Sequence, residues 1–269
     1  MPTASQEINF MRVMSFNIRG SFHDDGDNDW PKRRDLNIAT IQKYNPDIIG
    51  FQEAQSGNLA DYANELPEYA YNLGPVAVRK ADDHHHVPIF WRRERYALVN
   101  SGGFYLSETP DVWSIGWGAT FARSANWVTL LDMQTNREFS ILNTHFPHML
   151  DQDETRANCA AVVVEKLAPL SRQMPVIVMA DFNAIPSSAA YGVFMEAGYV
   201  DSYTAAGHTE DVNTFHGFHG REVAYNGLRI DWILTKGAVQ TSGFQVITDE
   251  APPIYPSDHY PILTELDFA

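Results

Sequence analysis

Asp181 and Asn183 stand two residues apart at the end of residues 175–183, a stretch that begins apolar and β-branched and turns abruptly polar. In an extended chain such a pair points to one side. A carboxylate able to serve as base or metal ligand would then sit beside a neutral amide that both donates and accepts. Asn143 and His145 repeat the spacing at the end of residues 139–145. Glu53 closes residues 47–53, Asn17 lies near the end of 9–18, and Asp231 falls inside 229–234. Asp258 and His259 precede a last strand over 262–266. Each has an ordinary alternative when taken singly: a strand-end turn for Asn17, Asn143 or the Asp181–Asn183 pair, a satisfied core imidazole for His145, a structural ion pair with Arg229 for Asp231. Their recurrence at strand after strand points to chemistry, because side chains from several strand ends converge on one crevice in layered α/β proteins.

The elements that must hold these residues are legible as patterns. Residues 9–18 alternate as a strand. Pro31 opens a helix in which Leu36, Ile38, Ile41 and Tyr44 favour one face, and Asn45-Pro46 ends it. Residues 47–53 return as a buried strand, so the first unit reads strand, helix, strand. A helix is predicted over 58–66, and strands over 69–80, 95–106 and 125–133. The last two are joined by a long connection containing Trp113, Gly116, Trp117 and Gly118. Residues 151–170 form the most regular helix, with Ala157, Ala160, Val164 and Leu167 as its stripe and Asp151, Asp153 and Glu154 suited to its N-terminal end. A helix over 187–197, closed by Gly198, and a loop over 205–227 complete the pattern. The order of elements in the first half is loosely echoed in the second.

Two polar stretches invite other readings. Asp25, Asp27 and Asp29 have the alternate spacing of a calcium loop, but Trp30 stands where that loop needs glycine and Leu36 where it needs glutamate. A solvated loop is the better reading. His84–His86 follow Asp82-Asp83, and three adjacent histidines cannot all reach one ion from regular backbone. That run reads first as a solvated loop and second as a substrate contact through His86.

Composition narrows the function classes. With 44% hydrophobic and 20% charged residues, the 269-residue chain can bury a large core. The single cysteine, Cys159, rules out an internal disulfide and a cysteine-based zinc site. No leader pattern occupies the first residues and no apolar run reaches spanning length, so a cytoplasmic protein without a membrane span is expected. A net charge of −15 repels a long polyanion. The local basic clusters are Arg33-Arg34 and Arg92, Arg93 and Arg95, so a small phosphorylated substrate, or a polyanion met through bound metal, fits better than a long nucleic-acid duplex. The sequence says nothing of oligomeric state.

Taken in order, Ser-Phe-Asn17-Ile-Arg-Gly, Phe-Gln-Glu53, Asn143-Thr-His145-Phe-Pro-His148, Ala-Asp181-Phe-Asn183, Arg-Ile-Asp231-Trp-Ile and Ser-Asp258-His259-Tyr-Pro resemble the endonuclease/exonuclease/phosphatase family of metal-dependent phosphoesterases. The resemblance runs from about residue 10 to 266. Trp30 with Arg33-Arg34, and residues 104–110, look most like its uncharacterised bacterial hydrolase branch. It implies an α/β fold, a four-layer α-β-β-α sandwich of two mixed sheets with helices on the outer faces, in one domain over 1–269. It also implies hydrolysis of a phosphate ester with one or two Mg²⁺ or Mn²⁺ ions, for which the oxygen donors of Glu53, Asp258 and Asn17 are suited. By the same resemblance Asp181 orients and deprotonates the attacking water, and Asn183 fixes that water or the phosphate. His259, paired with Asp231, and His145 flank the phosphate. Asn143, Arg123 and His86 fall on the substrate side. The sequence departs from its relatives at Pro147, where they often carry aspartate, and at His84–His86, where they carry glycine or other polar residues. A small-molecule, lipid-headgroup or sugar phosphate is the favoured substrate. A nuclease acting on DNA or RNA is the alternative, and a catalytically silent binding protein of the same fold is a third reading.

Overall fold

The computed structural model describes residues 10–77, 84–224 and 227–268. The N-terminal residues read for a leader, the far end of the 69–80 stretch, Asp82, Asp83 and two positions of the 205–227 loop lie outside the described residues.

Strong β-formers at alternate positions build two six-stranded sheets. One contains β1 (Met11–Asn17), β2 (Ile48–Gln52), β3 (Tyr69–Asn72), β4 (Ile89–Arg92), β11 (Val239–Val246) and β12 (Ile262–Phe268), in the order β11-β12-β1-β2-β4-β3. The other contains β5 (Tyr96–Tyr105), β6 (Ser124–Asp132), β7 (Arg137–His145), β8 (Val176–Asp181), β9 (Val200–Asp201) and β10 (Asp231–Lys236), in the order β5-β6-β7-β8-β10-β9. Both sheets are mixed: β1 and β2 pair in parallel, as do β7 and β8, and the remaining neighbours are antiparallel.

Each parallel pair is spanned by a helix, as a crossover requires. Between β1 and β2 runs α1 (Trp30–Tyr44), with Pro31 in its first turn and Asn45 in a left-handed C-cap. Between β7 and β8 runs α3 (Asp153–Ser171), its first turn carrying Asp153 and Glu154. Two more helices, α2 (Ser56–Glu65) and α4 (Ala189–Glu196), follow β2 and β8.

Alternation along the strands divides the apolar side chains among three cores. Val13, Ile48, Ile141, Ile177, Met179 and Ile233 meet between the sheets. Their neighbours Met14, Ile49 and Phe51 face outward and pack with Ile38, Ile41 and Tyr62 of the helices α1 and α2. On the other side Leu142, Val178, Ala180 and Trp232 pack with Cys159, Ala160, Val163, Leu167 and Phe194. Helices, sheet, sheet and helices therefore make four layers, each buried aliphatic side chain contributing roughly 1.5–3 kcal/mol.

Details differ from the sequence reading. The stripe of α3 is rotated by one position: Cys159 and Val163 are fully buried, while Ala157 and Val164 are half-buried. Pattern alone could not separate neighbouring small apolar residues. In α1 the inward face carries Arg33, Asn37 and Thr40 beside Ile38 and Ile41. Edge strand β11 went unread because it is half-exposed, contains Ser242-Gly243 and is irregular between Thr241 and Gly243.

Candidate active site

Strand register assembles one half of the site. His145 ends β7, Asp181 ends β8 and Asp231 begins the antiparallel β10, and the three are direct neighbours across the sheet. All three share the parity of Ile141, Ile177 and Ile233 in the inter-sheet core, so their side chains project between the sheets at one open end. His259 arrives from the segment before β12. Its Nδ1 lies 3.0 Å from Asp231 Oδ2, and its Nε2 3.7 Å from Asp181 Oδ2. His145 Nε2 is 3.3 Å from the same Asp181 oxygen. The Asn183 backbone N–H donates to Asp181 Oδ1 at 2.9 Å, and Asn183 Nδ2 lies 3.0 Å from His145 Nε2. Arg229 bonds Asp201 at 2.7 Å, so the alternative of an Arg229–Asp231 pair is not what the fold builds.

The other half comes from the first sheet. Asn17 ends β1, and its Nδ2 donates to Asp181 Oδ2 at 2.9 Å and to Glu53 Oε1 at 3.2 Å, joining the two sheets. Glu53 follows β2 in a left-handed conformation, φ 60, as do Arg19 at φ 50 and Asn183 at φ 49. Such backbone is unfavourable for glutamate and arginine, and strain of this kind collects at functional sites. Ser257 Oγ lies 2.7 Å from the Asn17 carbonyl, to which it donates, and 3.2 Å from Asp258 Oδ1. Asp258 is thereby fixed beside the exit of β1.

Burial and neighbouring charge set the proton affinities. Burial, reinforced by Asp231, pushes Asp181 up to about 7, where a general base is useful near neutrality. Burial alone would lower His259, but Asp231 and Asp181 outweigh it and raise the imidazole to about 10. Burial and then Arg123 hold His145 well below the ordinary histidine range. One histidine is therefore a fixed cation and the other a neutral imidazole. Glu53 is held well below the usual carboxylate range: burial opposes this, but the His23 hydrogen bond and the charge of Arg19 prevail. Burial raises Asp258, and the Glu53 carboxylate adds to that.

Two groupings could receive a cation. Asp181, Asp231 and His259 offer ligand atoms within 4.8 Å of one another. His259, however, already uses Nδ1 on Asp231 and is held in its charged form, and an imidazolium has no lone pair to give. Glu53 and Asp258 offer carboxylate oxygens that repel each other, and Asn17 adds its amide Oδ1, which also accepts the Arg19 N–H at 3.1 Å. Arg19 Nε stays 3.9 Å from Asp258, its closer partner being Asp25 at 2.9 Å. This second set fits a hard divalent ion.

Three expectations change. Asn143 is withdrawn from the substrate side, because its amide is fully buried and committed across the sheets. Nδ2 donates to the carbonyls of Phe51 at 2.7 Å and Pro88 at 2.9 Å, and Oδ1 accepts from Gln52 at 2.6 Å. Gly50 makes room for it, since a Cβ there would lie 2.9 Å from the Asn143 amide carbon. The acidic loop after β1 is only partly solvated: His23 Nε2 lies 3.3 Å from Glu53 Oε2. His86 is tied by two backbone bonds to Ala54 and, with His85, lines a cleft shared with Glu53, Arg123, Ser124 and His145. Arg123 is buried there, 3.4 Å from His148 Nδ1. The 205–227 segment is a loop as expected, and it is bonded to both Asp231 and Asp258. Thr214 accepts from the Asp231 N–H at 3.1 Å, and the N–H groups of His216 and Gly217 reach the Asp258 carbonyl at 2.9 and 3.0 Å. Arg19, His23, Ser257 and Thr214 escaped the sequence reading because their roles are long-range bonds, although Arg19 and Ser257 flank residues already singled out.

The family described as Endonuclease/Exonuclease/phosphatase matches residues 14–259 of this chain. Among solved structures, the endonuclease/exonuclease/phosphatase from Bacteroides vulgatus aligns with a TM-score of 0.87 and 31% identity, covering 97% of this chain and 99% of that one. The mannosyl-6-phosphatase of Bacteroides thetaiotaomicron aligns with a TM-score of 0.86 and 31% identity, covering 96% and 100%. An uncharacterised protein of Acanthamoeba polyphaga mimivirus is 31% identical over 149 residues, 51% of this chain and 54% of its own length. The chain therefore spans about half of that viral relative, and 29% of a second uncharacterised one. No described helix is long and apolar enough to cross a membrane.

Proposed function

The chain belongs to the Endonuclease/Exonuclease/phosphatase family, and from that premise we propose that it hydrolyses small phosphate esters with a bound divalent metal. The observation that carries the proposal is the junction at Asp181: a carboxylate raised to about 7 lies 2.9 Å from Asn17, which also bonds Glu53, and 3.7 Å from the charged His259. A base, a cation and a hard-oxygen metal set face one crevice. Residues 10–266 act as one catalytic unit.

Glu53, Asn17 and Asp258 would hold Mg²⁺ or Mn²⁺, which when bound supplies positive charge to the phosphate oxygens. Asp181 takes the proton of the attacking water, and Asn183 fixes the orientation of the Asp181 carboxylate through its N–H. His259, kept protonated by Asp231, donates to a phosphate oxygen and stabilises the charge that accumulates there. His145, neutral and 3.0 Å from Asn183, supplies a second imidazole at the phosphate. Arg123 and His86 face the substrate from the cleft beside Glu53.

Three observations favour a sugar or similarly small phosphate. The net charge is −15. The basic clusters are consumed internally: Arg33 is fully buried, Arg34 pairs with Asp35 and Asp61, Arg92 reaches the side chain of Asn45, Arg93 the carbonyl of Tyr69, and Arg95 pairs with Asp132 and Asp47. The Bacteroides thetaiotaomicron relative is a mannosyl-6-phosphatase at 31% identity. A panel of sugar 6-phosphates, glycerophosphoesters and single-stranded oligonucleotides tests the reading. Metal-dependent phosphate release from the small esters is expected. Preferential cleavage of oligonucleotides, weakening steeply with salt, would favour the nuclease alternative.

A further inference from the structure

Arg33 is fully buried, an unusual place for a guanidinium, which enters the interior only when its donors are met. Its hydrogen bonds run to main-chain carbonyls. Nε donates to Asn28 at 2.8 Å, Nη1 to Ile18 at 2.8 Å and Pro256 at 3.1 Å, and Nη2 to Gly20 at 3.5 Å and to Arg19. All five N–H groups of the fork are engaged, and no carboxylate pairs with it among the described residues. Trp30 and Phe218 close over the group, with ring centroids 5.0 and 5.9 Å from its central carbon.

The carbonyls it gathers belong to two stretches far apart in sequence, residues 18–28 and Pro256, and each adjoins an oxygen donor of the metal set. Ile18 follows Asn17 directly, and Pro256 lies two residues before Asp258. Arg19, whose carbonyl Arg33 also holds, has the left-handed φ of 50 that lets the chain turn out of β1. Asn37, one turn further along α1, donates to the same Pro256 carbonyl at 3.0 Å and is itself held by the Tyr62 hydroxyl at 2.7 Å. Without this bridge, the two donor segments are joined by the Ser257 bond to the Asn17 carbonyl and by the looser 3.9 Å approach of Arg19 to Asp258. Lysine could not replace the fork, since a single ammonium has three donors radiating from one point.

We infer that Arg33 is a positioning residue for the metal site, fixing the separation of Asn17 and Asp258 without touching metal or substrate. The inference rests on the metal set proposed above. Groups that orient metal ligands from behind typically carry 10–100-fold in affinity, and that is the range expected here.

The test is Mn²⁺ binding to the full chain, followed by calorimetry well below the unfolding temperature, for wild type, Arg33→Lys, Asn37→Ala and Asp258→Asn. Arg33→Lys should weaken Mn²⁺ by about 10-fold or more and raise the Mn²⁺ needed for half-maximal turnover in proportion, with kcat at saturating metal largely recovered. Asn37→Ala should weaken it by a smaller factor in the same direction, and it decides the matter if the lysine variant does not fold. A lowered Tm with wild-type Mn²⁺ affinity in both variants would make Arg33 merely structural and overturn the inference, while Asp258→Asn still losing the ion would leave the metal reading standing. Unchanged affinity in Asp258→Asn would instead overturn the metal set, and the inference with it.

Discussion

α3 presses Cys159, Ala160, Val163 and Leu167 against the outer face of its sheet, whereas α1 turns Arg33, Asn37 and Thr40 inward alongside Ile38 and Ile41. The two helices occupy equivalent places, each bridging a parallel strand pair, yet they support different halves of the site. In the β7-α3-β8 unit, His145 and Asp181 sit on adjacent strands in direct register. Ladder bonds and apolar packing place them, as they would any buried strand residue. In the β1-α1-β2 unit, Asn17 closes the ladder opposite Gln52 while Glu53 and Asp258 lie beyond the strand ends, and side-chain bonds to carbonyls tie the exit of β1 to the Asp258 segment. The half assigned to proton transfer is held by the sheet. The half assigned to the metal is held by polar clamps from a helix. Sheet register tolerates substitution at the helix face, but a clamp depends on single atoms.

The comparison can be broken at several points. The largest expected effect is on turnover: Asp181→Asn or His259→Ala should reduce kcat by about 10²–10⁴-fold, measured by phosphate release, while Mn²⁺ affinity stays close to that of wild type. Next, Glu53→Gln should raise the Mn²⁺ required for half-maximal activity by at least about 10-fold. A matching loss of Mn²⁺ affinity in Asp181→Asn would erase the division between halves. Third, Leu167→Ala, on the apolar side of α3, should cost about 2–5 kcal/mol of stability by denaturant titration. Its turnover per folded molecule should stay within about 2-fold of wild type, since the ladder still holds Asp181. A larger loss would show that helix packing, and not register, places the base.

The smallest effect is electrostatic. Asp231 and Asp181 raise His259 to about 10, so its imidazolium should persist through neutral pH and lose its proton only as pH rises towards that value. Asp231→Asn removes the foremost stabilising charge and should bring the transition down towards the ordinary histidine range. Imidazole resonances of the metal-free protein, followed against pH, read this directly. Titration near 6.5 in wild type would contradict the assigned pair.

The same contrast explains what was legible in the sequence. Asp181, Asn183 and His145 sit at ends of apolar runs, so periodicity located them, and the period of two told which way they point. The pattern showed strands interspersed with helices, and the two sheets followed from the family resemblance alone. The clamps were not readable: Arg33 stands in sequence as half of a local basic cluster, and nothing local says that it reaches Pro256, 223 residues away. Asn143 shows the same limit from the other side. It has the spacing of a site residue, but only the facing sheet, with Gly50 opposite, reveals that its amide is spent on the Phe51 and Pro88 carbonyls. His23 and Thr214 lie in stretches rich in turn formers and acquire their roles from Glu53 and Asp231.

The most direct test is phosphate release from the best small ester of the panel by protein stripped with EDTA, titrated with Mn²⁺, for wild type beside Asp181→Asn. The expected result is no turnover without metal and saturable recovery in wild type. Asp181→Asn should take up Mn²⁺ normally yet recover about 1% of the rate or less. Turnover that persists in EDTA, or an Asp181→Asn variant as fast as wild type, would contradict a metal-assisted hydrolysis in which Asp181 activates the water.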